Sequence, residues 1–145
     1  MVKTRIFIVA GYAPFRSNLA LFIASLNAQY EVVGEATTDA EAMERIRRVW
    51  PDIVFVDINL PDSSGLATVR TIRQERANTA VITITDRPSE EYRKAALAAG
   101  AAACVDKPAL VGQLPGLLAA LVEDRTHLAG SDIAPDAPAE SPLQP

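Results

Sequence analysis

The chain has little of what disulfides and zinc sites require. Cys104 is its one cysteine and His127 its one histidine, so an internal disulfide and zinc sites made of several Cys and His residues are excluded. No run of about 18 apolar residues occurs, and no long apolar segment follows Lys3 and Arg5, so the sequence predicts neither a membrane-spanning helix nor a signal peptide. We therefore expect a cytoplasmic protein with no membrane partner.

Basic residues are also outnumbered. The 14 Lys and Arg against 18 Asp and Glu give a net charge of -4, which argues against direct nucleic-acid binding by this chain. Arg45, Arg47 and Arg48 fall on one predicted helix, where we expect a solvated face rather than a nucleic-acid patch. The length of 145 residues and an apolar share of 49% fit one domain with a substantial core.

Short apolar segments alternate with segments of helical periodicity along most of the chain. Five βα units joined by right-handed crossovers predict an α/β fold with a doubly wound, five-stranded parallel sheet in the order 2-1-3-4-5. A capping box at Thr38 and Glu41 predicts the start of the second helix. The last helix is expected to begin late, because Pro115 and Gly116 lie in its first turns. The predicted strands cover residues 6–9, 30–34, 53–56, 80–85 and 101–105.

The composition changes near the C-terminus. Four prolines lie among Ala, Ser and acidic residues after position 126, with few residues that could be buried. We therefore predict a domain over residues 1–125 and a disordered Pro/Ala-rich tail or interdomain linker over 126–145.

Polar residues stand at the ends of three predicted strands. Asp57 follows the third strand, Thr85 ends the fourth, and Lys107 with Pro108 follows the fifth. In sheets of this type, ligands bind beyond the carboxyl ends of the strands. The sequence therefore predicts that these three side chains share one site.

This order of Asp, Thr and Lys-Pro, with the segment from Asp57 to Gly65, resembles the receiver domain of two-component response regulators over roughly residues 3–123. The resemblance implies a flavodoxin-like fold, a histidine kinase or other signalling protein as partner, and Asp57 as phosphoacceptor. It also implies that Thr85 and Lys107 bind the phosphoryl group, and that the peptide bond before Pro108 is cis.

Two positions at the end of the first strand depart from the family. The family has two carboxylates there that hold Mg²⁺, whereas this chain has Ala10 and Gly11, which offer no side-chain oxygen. Asp57 and the backbone carbonyl of Asn59 are left as weak metal candidates. We therefore expect no certain cofactor, and weak Mg²⁺ binding at most.

Other positions bear on the same question. Asp86 and Asp62 are potential substitute ligands, although neither occupies the metal position of the family. The switch aromatic of the family is replaced by Cys104, which we expect to pack as a small buried hydrophobe rather than to sense redox state. With no metal between them, Lys107 is expected to pair directly with Asp57.

The leading hypothesis is a non-enzymatic, atypical receiver that works as a signalling interaction module, with Mg²⁺-dependent phosphorylation weak or absent. One alternative is a phosphorylatable receiver with a rearranged metal site. A second is the receiver part of a longer DNA-binding regulator. A nucleotide-binding domain of the same architecture is a third, but the loop at residues 10–14 has neither Gly-x-Gly-x-x-Gly nor a Walker lysine. Asp57 as a purely structural ion-paired acid is a fourth.

A homodimer is also predicted. The last helix carries an apolar stripe wider than one sheet face needs, and the fourth helix offers small side chains beside it. We expect the face formed by the fourth helix, the fifth strand and the last helix to bind a second copy or a partner. The residues of the apolar stripe are Leu114, Leu117, Leu118, Leu121 and Val122.

Overall fold

The computed structural model describes residues 2–87 and 89–131, with the backbone alone for 125–131. Within these residues five strands alternate with five α-helices, and none of the helices is long and apolar enough to cross a membrane. In chain order the elements are β1 (Thr4–Val9), α1 (Ala13–Leu26), β2 (Tyr30–Ala36), α2 (Asp39–Val49), β3 (Ile53–Asp57), α3 (Leu66–Glu75), β4 (Ala80–Thr85), α4 (Glu90–Ala99), β5 (Ala103–Asp106) and α5 (Leu110–Ser131).

All neighbouring strands pair in parallel, and their order is β2-β1-β3-β4-β5. The predicted fold and strand order are therefore confirmed. Every residue of the central strand β3 is buried, as its continuous apolar sequence indicates, because helices on both faces leave no exposed side. Reversal of the strand order between β1 and β3 places the ends of these two strands side by side.

The chain divides into a unit Met1–Val111, which holds the whole sheet and α1 to α4, and a second unit from Gly112 onward. The helix α5 continues to Ser131, so the domain boundary predicted after residue 125 lies within a helix. The remainder of the predicted tail, residues 132–145, lies outside the described residues.

A close contact between Phe7 of β1 and Gly34 of the edge strand β2 accompanies a shift in the register of these strands. The pairing of β1 with β2 shifts by one residue, so that Ile6 lies opposite Val32 and Phe7 opposite Gly34. A Cβ atom at Gly34 would lie 2.6 Å from the ring of Phe7, which is itself buried in the core. Glycine is therefore required at this position for Phe7 to enter the core.

The helix ends largely follow the predicted signals. Thr38 accepts a hydrogen bond from the amide of Glu41, and the Glu41 carboxylate accepts one in return from the amide of Thr37. The capping box is thus confirmed, although its return bond reaches one residue further than in the standard motif. Gly100 ends α4 with a φ of 113°, a left-handed conformation that glycine adopts readily after a helix.

Two expectations at the fifth strand are wrong. The helix α5 does not begin late: it starts at Leu110, directly after a 3₁₀ turn at Lys107–Ala109, and contains Pro115. A helix of 22 residues loses one backbone hydrogen bond at an internal proline and keeps the others. The peptide bond before Pro108 is not cis, since no cis peptide occurs in the described part of the chain.

Gly65 generates the first prediction. Its φ is 77°, and a Cβ atom there would lie 2.6 Å from the backbone oxygen of Asp57. Gly65→Ala should therefore lower the free energy of unfolding by about 1–3 kcal/mol through backbone strain and this close contact, measured by denaturant titration. The control is Gly112→Ala, where a Cβ meets nothing within 4 Å and a change of about 0.4–1 kcal/mol toward greater stability is expected. Equal stability of the Gly65→Ala protein and the wild type would contradict this account.

Candidate functional site

The carboxylate of Asp57 is held by an ammonium group. Asp57 ends β3 and Lys107 directly follows β5, and Lys107 Nζ lies 2.9 Å from Asp57 Oδ2. The other carboxylate oxygen accepts a hydrogen bond of 2.9 Å from the amide of Asn59. Only 4% of the Asp57 side chain is exposed. The structure thus brings together Asp57 and Lys107 as predicted, and the buried carboxylate has a charged partner.

Lys107 has two further contacts. Its Nζ lies 3.2 Å from Asp86 Oδ1 and 4.4 Å from the centre of the Phe15 ring, the distance range of a cation–π interaction. Partial burial by itself lowers the pKa of Lys107, but hydrogen bonds and charges of Asp57 and Asp86 outweigh it, so the pKa is raised above its ordinary value. The group is therefore a fixed positive charge at neutral pH.

Thr85 lies beside this ion pair but bonds elsewhere. The residue is buried at the end of β4. Its hydroxyl donates to the carbonyl of Arg87 at 3.2 Å and accepts from the amide of Arg87 at 3.1 Å. The predicted site residue is therefore engaged in its own loop rather than with Asp57 or Lys107.

The end of β1 is held by a residue that sequence reasoning missed. Ala10 is fully buried, and its carbonyl accepts a 2.7 Å hydrogen bond from Arg16 Nη1. The same guanidinium donates to Glu35 through Nε at 3.0 Å. Neither contact follows a periodic pattern, so periodicity does not predict them. Arg16 is the one charged residue of α1, and that isolation is the only available clue.

Gly11 lies on the border of the site. A Cβ atom there would lie 3.1 Å from Pro61 Cδ and 3.9 Å from the carbonyl oxygen of Asn59. A side chain at position 11 would thus begin next to the carbonyl that we named as a metal candidate. It would also require Pro61 to move by a few tenths of an ångström.

Asp62 does not point at the site. Its two carboxylate oxygens accept hydrogen bonds from the amides of Asp39 at 2.8 Å and Ala40 at 3.2 Å, at the start of α2. The hypothesis that Asp62 serves as a substitute metal ligand is therefore wrong, because its oxygens satisfy the free amides of a helix terminus. Thr68 of α3 donates to the carboxylate of Asp39, so the loop after β3, α2 and α3 are joined by one chain of polar contacts.

A metal site made of protein side chains requires several ligands close together. Among the residues that the structure describes, no three His, Cys, Asp or Glu side chains are arranged to hold a metal ion. Asp86, the other proposed substitute, is instead bound to Lys107. Cys104 of β5 lies opposite Thr83 and packs against the hydrophobic core, but it is half-buried rather than buried as we expected.

An open cleft of about 510 Å³ lies beyond the carboxyl ends of the strands, around Asp57 and Lys107. The Asp57–Lys107 pair and Asp86 supply its charged lining, and the exposed rings of Tyr12 and Tyr92 border it. The other lining residues are Gly11, Ile58, Asn59, Leu60, Pro61, Ser63, Ser64 and Leu66.

The contacts of Asp62 generate the second prediction. The amide of Asp39, and then that of Ala40, hold the pKa of Asp62 below its ordinary value of 3.8. A lowered folded-state pKa means that the ionised carboxylate stabilises the fold above pH 3.8, and that this stabilisation is lost as the pH falls through the lower, folded-state value. Asp62→Asn should therefore lower the urea midpoint at pH 7, and the difference from wild type should shrink below pH 3.8.

The matched control is Glu31→Gln, which removes an exposed acid from β2. It should leave the midpoint at pH 7 nearly unchanged, since no helix end depends on it. An Asp62→Asn midpoint that equals wild type at pH 7, or a difference that is constant down to pH 2, would show that the carboxylate does not cap α2.

Comparison with known proteins places these features in a family. The sequence matches the response regulator receiver domain over residues 6–119. It is 34% identical over 104 residues to chemotaxis protein CheY of Thermotoga maritima, covering 72% of this chain and 85% of CheY. It is 33% identical over 99 residues to the uncharacterized transcriptional regulatory protein YhcZ of Bacillus subtilis, covering 68% of this chain. Because the match covers 46% of YhcZ, the chain spans less than half of that relative.

A solved structure agrees. The receiver domain of AraT, a response regulator from Geobacillus stearothermophilus, superposes with a TM-score of 0.79 at 26% identity. The match covers 89% of this chain and 99% of the AraT domain. The agreement in fold therefore extends over most of the chain.

Proposed function

This chain belongs to the response regulator receiver family of two-component signalling, and we propose that it is an atypical receiver that acts through protein–protein contact, without enzymatic activity. Phosphorylation of Asp57 by a Mg²⁺-dependent route is weak or absent in this proposal. The observation that carries it is the ion pair of Asp57 with Lys107 at 2.9 Å, next to a β1 end that offers no side-chain oxygen.

The available oxygen donors do not fit Mg²⁺. The ion takes six oxygens in nearly octahedral geometry, usually with one or two carboxylates. Both oxygens of Asp57 already accept hydrogen bonds, and Asp86 is bound to Lys107. The carbonyl of Asn59 remains, but Ala10 and Gly11 contribute nothing beside it. A metal ion would have to displace the ammonium group to gain its ligands.

The charges of the site also oppose phosphoryl transfer. A phosphodonor that approaches Asp57 brings negative charge toward two carboxylates, those of Asp57 and Asp86, which share one ammonium. Phosphoryl transfer depends on positioning and on neutralisation of this charge. The hydroxyl of Thr85 is bound to Arg87 and would have to leave its loop to assist.

Binding without a phosphorylation cycle requires a surface that is always available. A histidine kinase or another signalling protein is the partner that the family supports. The homodimer expected from the sequence stays a prediction: on α4, Ala96 is buried while Leu97 is 39% exposed, so the outer face of this helix is less uniformly small than we expected. The cytoplasmic location stays a prediction as well.

Two alternatives keep a specific observation in their favour. Asp86 and Asp57 both contact the same ammonium, so a cation in place of Lys107 Nζ would meet two carboxylates. This observation supports the alternative of a phosphorylatable receiver with a rearranged metal site. The name of YhcZ describes a transcriptional regulatory protein, and this supports the alternative that the chain is the receiver part of a longer DNA-binding regulator.

Phosphorylation of the intact protein generates the third prediction. After incubation with acetyl phosphate and Mg²⁺, the mass spectrum of the wild type should show at most a trace of singly phosphorylated chain. Ala10→Asp combined with Gly11→Asp should raise that fraction by about tenfold or more, because the restored carboxylates supply metal ligands. Asp57→Asn, introduced into the wild type and into the double variant, gives the mass-spectrometric background for each protein.

Metal binding should be followed on the same proteins by amide NMR at residues 10–11 and 57–59. Trp50 precedes the amino end of β3, whereas the site lies beyond its carboxyl end. The fluorescence of Trp50 is therefore a poor reporter of this site. Efficient, Mg²⁺-dependent phosphorylation of the wild type that disappears in Asp57→Asn would overturn the proposal.

A further inference from the structure

We propose that Asp86 is an internal anion that closes the site, because its carboxylate takes the position on the Lys107 ammonium that a phosphate-sized anion would otherwise take. The inference rests on the proposed function in that it names what regulates the same site. It assigns Asp86 a role that neither the phosphoacceptor nor the metal interpretation gives it.

Asp86 reaches the Lys107 ammonium from the solvent-exposed side of the site. Asp86 lies in the loop after β4 and is 55% exposed, whereas the Lys107 side chain is 25% exposed and Asp57 is buried. The carboxylate thus reaches from the solvent-facing loop to the inner ammonium, at 3.2 Å from Nζ. An oxygen of a bound phosphate would lie at the same kind of distance from this donor.

Asp86 also lies between two cavities. The cleft of about 510 Å³ is lined by Asp57 and Lys107, and a second cavity of about 290 Å³ is lined by Thr85 and Arg87. Asp86 borders both of them, together with Asn59 and Tyr92. Asp86 therefore borders both the cleft of the Asp57–Lys107 pair and the cavity of the threonine that the resemblance assigns to phosphate binding.

The local backbone keeps Asp86 in this position. Its neighbours on either side, Thr85 and Arg87, are joined by two hydrogen bonds through the Thr85 hydroxyl. The loop is thereby folded on itself around Asp86. Release of Asp86 from Lys107 would leave the ammonium with one carboxylate instead of two.

The net charge of Asp57, Asp86 and Lys107 affects how strongly an anion binds at the ammonium. With Asp86 in place, two carboxylates surround one ammonium, so the group has a net charge of about -1 and repels an anion. Without Asp86 the group is neutral, and the ammonium has an open side. Because Asp86 is more than half exposed, solvent screens part of this effect, and we expect a change of about tenfold rather than several orders of magnitude.

The test is a titration with inorganic phosphate, followed by amide NMR without Mg²⁺ and without a phosphodonor. The wild type, Asp86→Ala and Asp86→Asn are compared at constant ionic strength set with sodium chloride. We expect saturable shifts at residues 57, 85 and 107 in Asp86→Ala, with an affinity at least about tenfold above wild type. Asp86→Asn, which keeps the size and loses the charge, should also bind more tightly than wild type.

Glu91→Gln is the matched control, since it removes an exposed acid in the first turn of α4. It should bind phosphate as weakly as wild type. Equal affinities of wild type and both Asp86 variants would overturn the inference, as would an equal gain in Glu91→Gln. Should Asp86→Ala fail to fold, Asp86→Asn decides alone.

The outcome is separable from that of the proposed function. The phosphate titration involves neither metal nor phosphoryl transfer, so a wild type that is efficiently phosphorylated with Mg²⁺ would leave its result unchanged. Conversely, a failure of the Asp86 variants to bind phosphate would leave the mass-spectrometric test of Asp57 untouched.

Discussion

The ion pair between Lys107 and Asp57 is the interaction on which the site depends. A carboxylate that is 4% exposed requires a counter-charge, because an unpaired buried charge costs several kcal/mol. Ala10 and Gly11 supply no ligand for a metal that could provide this charge. The Lys107 ammonium does so instead, and its contacts with Asp86 and Phe15 connect the ends of β3, β4 and β5 with the start of α1.

The surrounding backbone explains why this pair is held in place. Gly65 turns the chain with a positive φ directly against the backbone of Asp57, and Asp62 fastens the same loop to the start of α2. Pro61, directly before Asp62, lies close to Gly11. The loop after β3 is therefore held from two sides directly after Asp57.

Much of this could be predicted from the sequence, and the reason is periodicity. Apolar runs and helical spacing identify the strands and helices, and the rules for parallel sheets then bring Asp57 and Lys107 to one edge. The capping box at Thr38 and the glycine end at Gly100 are local signals of the same kind. These features depend on residues close together in the chain or on repeated patterns.

The rest leaves no such pattern. The bond of Arg16 to the Ala10 carbonyl and the cap that Asp62 provides for α2 are single contacts between side chains and backbone atoms. The ring of Phe15 under Lys107 joins residues distant in the chain. Pro115 misled the prediction for α5, because a proline indicates a break locally while a long helix tolerates one.

The most direct test of the central claim is the coupling energy of Asp57 and Lys107, obtained from the unfolding free energies of wild type, Asp57→Asn, Lys107→Met and the double variant. Methionine keeps an apolar stem and removes the charge. If the ammonium is the counter-charge of the buried carboxylate, Lys107→Met alone should cost about 1–3 kcal/mol, and much of this should be recovered in the double variant. Additive effects, within about 0.5 kcal/mol, would show that the two charges do not support each other and would contradict the account.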